Sequence, residues 1–268
     1  MELSLKALQQ KFFQLCHERV WRGEGTRLKY MYFPMDPHKP GGANILLVGF
    51  QGCHDREARY NYVRTCAQFN IHRLFIKDDF APNGRGSYYL GEHGQYNVEC
   101  LVHSMVQDFM DRLQPEKTLF IGSSKGGYGA INCGIEFENA VIIAGAPQYR
   151  LGTYLDKPAN RPNLADIIVD LTPENIAALD HRLERKIAEN PYAATQTCYL
   201  HYSNREHTYE KHIRDLLRDL KASGMTVYED VADYAEHGDV GKYYPHFLSE
   251  TVCAIISSIK TDSGRREV

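Results

Sequence analysis

The sequence has 268 residues, is 43% hydrophobic and 24% charged, and carries a formal net charge of −3. That length suits one large globular domain over residues 1–268, and so small a net charge excludes a strong field for nucleic acid or acidic membranes. No window is apolar enough to span a bilayer, the first twenty residues lack the basic start and apolar block of a signal peptide, and the seven cysteines (16, 53, 66, 100, 133, 198, 253) form no C-x-x-C pair, which argues for free thiols in a reducing cytoplasm and no metal site.

Residues 3–20 carry apolar side chains at helical spacing and predict a surface helix. Residues 28–33 predict a strand, stopped by Pro34 and the turn-rich DPHKPGG. The run NILLVG at 44–49 predicts a buried strand, followed by a loop over 50–55 and a helix over 56–69. The next strand is expected at 72–76. Residues 78–95, DDFAPNGRGSYYLGEHGQ, show no apolar period and predict a long loop, a type that in compact domains usually carries function. An amphipathic helix is expected over 97–113.

The most informative stretch is KTLFIGSSKGGYGA at 117–130. A short apolar run leads into G-x-S-x-G centred on Ser124, and small residues follow that suit a helix to about 137. This is the pattern of a nucleophile elbow, a strained strand-to-helix turn in which strand and helix converge. Gly122 and Gly126 supply the near-absence of side chain that such convergence requires. No Gly-Lys-Ser/Thr ending follows, so a Walker loop is excluded, and the dinucleotide fingerprint G-x-G-x-x-G is absent here. Beyond it, a buried strand is expected at 140–144 and a helical insertion over 148–193, with helices at 173–179 and 181–188. A strand at 196–202, a helix at 208–222, a strand at 225–231 and a loop at 232–244 precede a terminal helix over 245–259 and a disordered tail. Strands alternating with helices imply an α/β protein. Its sheet would be mostly parallel, with helices on both faces and the insertion as a cap over the carboxyl ends of the strands, where ligands bind.

A serine hydroxyl needs a base, and the base an orienting acid, in the chain order serine, acid, histidine. His237, in the loop after the last strand, is the expected base; His246 falls in the terminal helix, which carries it away. Glu206 is the first carboxylate after the 196–202 strand, with Asp230 and Asp233 as competitors. The oxyanion donors are expected to be the N–H of Lys125 and that of Phe50 or Gln51. The Lys125 side chain is expected in solvent. A rival nucleophile, Cys53 beside His54, lacks an elbow around it.

With Ser124 in GSSKGG, Glu206, and His237 in EHGD, the chain resembles a branch of the α/β-hydrolase fold that holds bacterial glycan O-acetyltransferases, including those of capsular polysaccharide and the glycan O-acetyltransferase domain of the accessory Sec system. The resemblance runs from about residue 44 to the end. Its most specific parts are the Ser-Lys-Gly-Gly elbow and the roughly thirty-residue gap between acid and base, although some relatives carry Asp where this chain has Glu206. It implies acetyl-CoA as co-substrate with no tightly bound cofactor, a sugar hydroxyl of a polysaccharide or oligosaccharide as acceptor, and an acetyl-serine intermediate. Tyr88, Tyr89, His93 and Tyr96 of the long loop are the candidate sugar contacts. A serine esterase, deacetylase or thioesterase shares the elbow and the first half-reaction and is the alternative. Homo-oligomerisation is left open.

Overall fold

The structure, a computed structural model, describes residues 12–53, 58–81 and 84–266, with side chains up to residue 260. Its centre is one eight-stranded sheet: β1 (Glu18–Gly23), β2 (Thr26–Phe33), β3 (Ile45–Phe50), β4 (His72–Lys77), β5 (Lys117–Ser123), β6 (Val141–Gly145), β7 (Thr197–Tyr202) and β8 (Thr226–Val231), in the order β1-β2-β4-β3-β5-β6-β7-β8. The β1–β2 and β2–β4 pairs are antiparallel and all others parallel. Beyond β1, the strands lie within a residue or two of where the apolar runs place them.

Alternation along each inner strand divides the core. Leu46, Val48 and Phe50 of β3 face one apolar layer; Ile45 and Leu47 face the other. Fully burying each such side chain contributes roughly 1.5–3 kcal/mol. The first layer lies against α3 (Asn97–Leu113), α4 (Lys125–Gly134) and α9 (Arg214–Ala222). The second lies against α2 (Val63–Cys66) and α10 (Val240–Arg266).

Four expectations are corrected. The helix expected over 3–20 is helical only at residues 12–17 (α1) among those described, since 1–11 lie outside them, and the chain turns to strand at Glu18. The cause is the two-residue connection Glu24-Gly25: both residues have positive φ (50° and 69°), which makes a tight hairpin and pairs residues 18–23 with β2. Trp21 on that strand then packs against Tyr30 and Phe109. The helix expected over 56–69 is only the single turn of α2. Residues 54–57 lie outside the description, and Tyr62 enters α2 with φ 61°. Residues 60–62 spend their side chains on neighbours: Tyr60 Oη donates to Glu18 (2.9 Å), Asn61 Oδ1 accepts from Gly52 N–H (3.0 Å), and Tyr62 Oη lies 2.5 Å from Ser123 Oγ. Finally, α10 begins at Val240, not 245, and continues to Arg266, through most of the stretch expected to be disordered.

Between β6 and β7 lie α5 (Leu151–Leu155), α6 (Arg161–Ile167), α7 (Pro173–Asp180) and α8 (Arg182–Ala188). This insertion closes on the long loop. His93 and Gly94 N–H donate to the carbonyls of Asp166 and Ile167 (2.7 Å each), and Asn163 Nδ2 donates to Gly86 O (2.9 Å). Arg182 and Lys186 of α8 clamp Glu99 of α3. No helix among the described residues is long and apolar enough to cross a membrane.

Candidate active site

The sheet order reverses at its middle. The chain passes from β3 outward to β4, then returns to β5 on the other side of β3 and continues the opposite way. The loops leaving β3 and β5 therefore diverge and open a crevice at the carboxyl ends of the strands. Ser124 sits there, between β5 and α4, with φ 53° and ψ −122°, a conformation few non-glycine residues adopt. The close approach is steric fact: a Cβ on Gly122 would lie 2.3 Å from Gly126 O, and one on Gly126 2.5 Å from Phe50 O. Hydrogen bonds hold the strained turn. Ser124 N–H donates to Gly145 O (2.7 Å), while Tyr244 Oη accepts from Gly122 N–H (3.0 Å) and donates to Ile143 O (2.5 Å).

His237 reaches this serine from 113 residues downstream, its Nε2 2.8 Å from Ser124 Oγ. Its Nδ1 lies 2.6 Å from Glu206 Oε1, which also accepts from Thr208 Oγ1 (2.6 Å). Burial raises the pKa of the Glu206 carboxyl, but the hydrogen bonds from His237 and Thr208 and the nearby imidazoles outweigh it and hold the group below the ordinary carboxylate range. Asp230 is instead bonded to His201 (2.5 Å) and Asp233 to Arg205 (2.5 Å). His246 is exposed on α10 beside Glu250 (3.1 Å). Cys53 is exposed and meets Arg85, and His54 lies outside the described residues.

Of the expected oxyanion donors, Lys125 N–H is the first amide of α4, directly after Ser124. The Gln51 N–H is taken by Tyr89 Oη (2.6 Å), and Phe50 ends β3 in register with Ile76. Lys125 corrects another expectation: its side chain is not in solvent but fully buried. Its ammonium donates to Asp78 Oδ2 (3.0 Å) and Arg85 O (2.9 Å). Asp78 in turn accepts from the N–H groups of Ser87 (2.9 Å) and Tyr89 (3.1 Å). A buried pair so satisfied is a strut tying the elbow to the long loop; losing one partner costs about 3–5 kcal/mol.

The four loop residues expected to meet sugar divide. Tyr88 and Tyr89 are buried, Tyr88 edge-on to Tyr128 and Tyr89 edge-on to Phe50. His93 is exposed, and the half-buried Tyr96 ring lies under the Arg182 guanidinium (4.2 Å). Among the described residues, no cluster of His, Cys, Asp or Glu could hold a metal ion.

The sequence offers no local signal for Gln148, two residues after Ala146. Its side chain is fully buried, and its Nε2 donates to Ser124 Oγ (3.1 Å) and lies 3.4 Å from His237 Nε2. The segment carrying it is anchored by His212, in a π-helical turn (Tyr209–Ile213) that leads into α9, whose Nδ1 accepts from Tyr149 and Arg150 N–H (3.2 Å each). Burial, aided by Lys157 and nearby imidazoles, lowers the His212 pKa from 6.5 to about 4. Its stabilising contribution is thus full above pH 6.5 and is lost as pH falls toward 4. Between pH 7 and 4.5, wild-type protein is expected to lose roughly 2–3 kcal/mol more stability than His212→Gln, whose amide oxygen can still accept. Denaturant titrations at both pH values measure this, and equal losses would refute it.

No protein-family model matches the sequence, and no curated protein matches it either. Solved structures do match the fold. An S-formylglutathione hydrolase from Agrobacterium tumefaciens superposes with a TM-score of 0.62 at 10% identity, covering 90% of this chain and 93% of the other. The chain has the α/β-hydrolase fold. Within that fold it is similar to a capsule O-acetyltransferase of Neisseria meningitidis serogroup A, solved as a mutant in complex with CoA (TM-score 0.69, 16% identity, 88% of this chain and 94% of that one). It is also similar to a glycosylation-associated protein complex of Streptococcus agalactiae (TM-score 0.72, 19% identity, 90% of this chain but 46% of the longer one).

Proposed function

We propose that this protein is an acetyl-CoA-dependent O-acetyltransferase acting on hydroxyls of a bacterial surface polysaccharide. The observation that carries the chemistry is the chain of contacts from Ser124 Oγ through His237 to Glu206, at 2.8 and 2.6 Å, mounted on a strained elbow. The likeness to a capsule O-acetyltransferase that takes CoA supports the donor and the acceptor class.

In the first half-reaction His237 accepts the Ser124 proton as Oγ attacks the thioester carbonyl carbon. The tetrahedral intermediate collapses, the C–S bond breaks, and the coenzyme leaves as a thiol carrying that proton. In the second, His237 accepts the proton of a sugar hydroxyl as that oxygen attacks the acetyl-serine, and returns it to Ser124 Oγ as the ester bond to serine breaks. Glu206 keeps the proton on Nδ1, leaving Nε2 as the acceptor. Gln148 donates to Ser124 Oγ, so the serine's own proton points to His237. Lys125 N–H faces the developing oxyanion, joined by an amide at the end of β3 or just after it, with Phe50 and Gln51 the candidates; Gln51 would exchange Tyr89 Oη for substrate. The single domain uses its 148–193 insertion as a cap over the long loop, where His93 and Tyr96 offer the acceptor a polar and an aromatic surface. The dispersed thiols suit the cytoplasm.

The serine-hydrolase reading shares every one of these residues, and the fold match to an S-formylglutathione hydrolase favours keeping it as the alternative. Incubation with acetyl-CoA, with and without candidate capsular polysaccharides, separates the two. Transfer predicts thiol release that accelerates with acceptor and acetylated product; release at one rate regardless of acceptor would refute it.

A further inference from the structure

A cavity of about 720 Å³ lies away from Ser124, between α1, β2, the start of β4 and residues 59–67. Its walls include three arginines, Arg59, Arg64 and Arg73, and the rings of Phe33, Tyr60 and Tyr62. Some arginines elsewhere pair with carboxylates, as Arg112 does with Asp108 and Arg214 with Glu210. Around this cavity the three have no carboxylate partner among the described residues. Arg73 is the most telling. Its guanidinium lies over the Phe33 ring (5.3 Å) and donates to Cys66 O (3.2 Å), yet its buried Nε has no hydrogen-bond acceptor. A buried donor left unmade costs about 1–3 kcal/mol, more for a charged group, so Arg73 gains from any shift that brings an acceptor to its guanidinium. Glu18, at the cavity's edge, is already occupied: its carboxylate takes bonds from Lys77 (2.6 Å), Tyr60 and Gln14, and these hold it ionised.

Unpaired guanidinium groups beside aromatic faces suit a phosphorylated heterocycle. The forks take phosphate oxygens in pairs, the aromatic walls add apolar contact for a base, and the volume falls within the range of small-molecule sites. The cavity is also coupled to the elbow. Asn61 and Tyr62 line it, and the same two side chains hold Gly52 N–H and Ser123 Oγ, on either side of the crevice. We propose that this cavity binds the phosphorylated adenosine end of coenzyme A, so that the thioester end extends to Ser124. This rests on the transferase reading, and it adds where the donor is held and which residues select it.

The test uses adenosine 3′,5′-bisphosphate and ADP as probes in calorimetric titrations of wild type, Arg73→Gln and the double variant Arg59→Gln/Arg64→Gln. The double variant changes exposed side chains and covers the case in which Arg73→Gln fails to fold. Each lost arginine is expected to weaken bisphosphate binding roughly tenfold. The same factor should appear as a raised KM for acetyl-CoA and as lost selectivity for acetyl-CoA over acetyl-pantetheine, which lacks the nucleotide. Wild-type affinity or wild-type selectivity in the variants would overturn the site, and equal affinity for ADP would overturn its assignment to coenzyme A. Arginine-dependent binding of the bisphosphate in a protein that turns over no acetyl-CoA would leave the site standing and remove the transferase reading. Acetyl transfer indifferent to all three arginines would do the reverse.

Discussion

Ser124→Ala is expected to lower turnover of acetyl-CoA, or of any activated acetyl ester, by roughly 10⁴-fold or more, with His237→Ala comparably damaging and the pair no worse than either alone. The non-additivity follows from the geometry. With Oγ gone, His237 Nε2 has nothing to deprotonate, and with the imidazole gone, Oγ retains its proton and stays a poor nucleophile. The fold should tolerate both changes. Ser124→Ala keeps the same Cβ and the same positive φ, and the backbone bond from Ser124 N–H to Gly145 O is untouched. His237 is half-buried in a short 3₁₀ turn before α10, outside either apolar layer. Melting curves should therefore move by only a few degrees while activity disappears. An active Ser124→Ala protein would end the reading, and a variant that lost activity only by unfolding would not support it.

What the sequence made legible here was whatever is written locally or by chain order. The elbow is local: strand, Gly122, Ser124 and Gly126 occupy five consecutive positions, and steric convergence demands those glycines. Glu206 and His237 could be named as candidates because the fold fixes which loops follow which strands, and the structure brings His237 to Ser124 and Glu206 to His237. What escaped is set by tertiary packing. A lysine after a candidate nucleophile looks solvated until the long loop supplies Asp78 and the Arg85 carbonyl to bury it. A loop glutamine such as Gln148 has no signature, because its role depends on His212, more than sixty residues away, bonding the two amides after it. Residues 18–20 continued an apolar pattern of helical spacing, and only the Glu-Gly dipeptide at 24–25 signalled a hairpin. Tyr88 and Tyr89 looked like sugar platforms because aromatic residues in a polar loop resemble a binding surface; their burial is decided by Tyr128 and Phe50 beneath them.

The acid can be settled by charge-removing variants, because the three carboxylates near the carboxyl ends of β7 and β8 have different partners. Glu206→Gln should cost roughly 10³–10⁴-fold in kcat, by allowing the wrong imidazole tautomer and leaving the imidazolium without a counter-charge. The isosteric amide preserves shape, but its NH₂ can donate to Nδ1 and so place the histidine proton on Nε2, where it blocks attack by serine. Asp230→Asn removes the partner of His201 and Asp233→Asn that of Arg205, an ion pair exposed on both sides, so each should keep activity within about tenfold of wild type. The pH profile provides an independent readout. Because Glu206 is held ionised below the ordinary carboxylate range, its support for His237 is present at neutral pH and persists until pH falls through that lowered pKa. The wild-type enzyme should thus show no loss traceable to Glu206 until well into acid. If Asp230→Asn instead produced the larger loss, the acid would have to reach His237 by a rearrangement of β8, and the contact between Glu206 and His237 would be structural only.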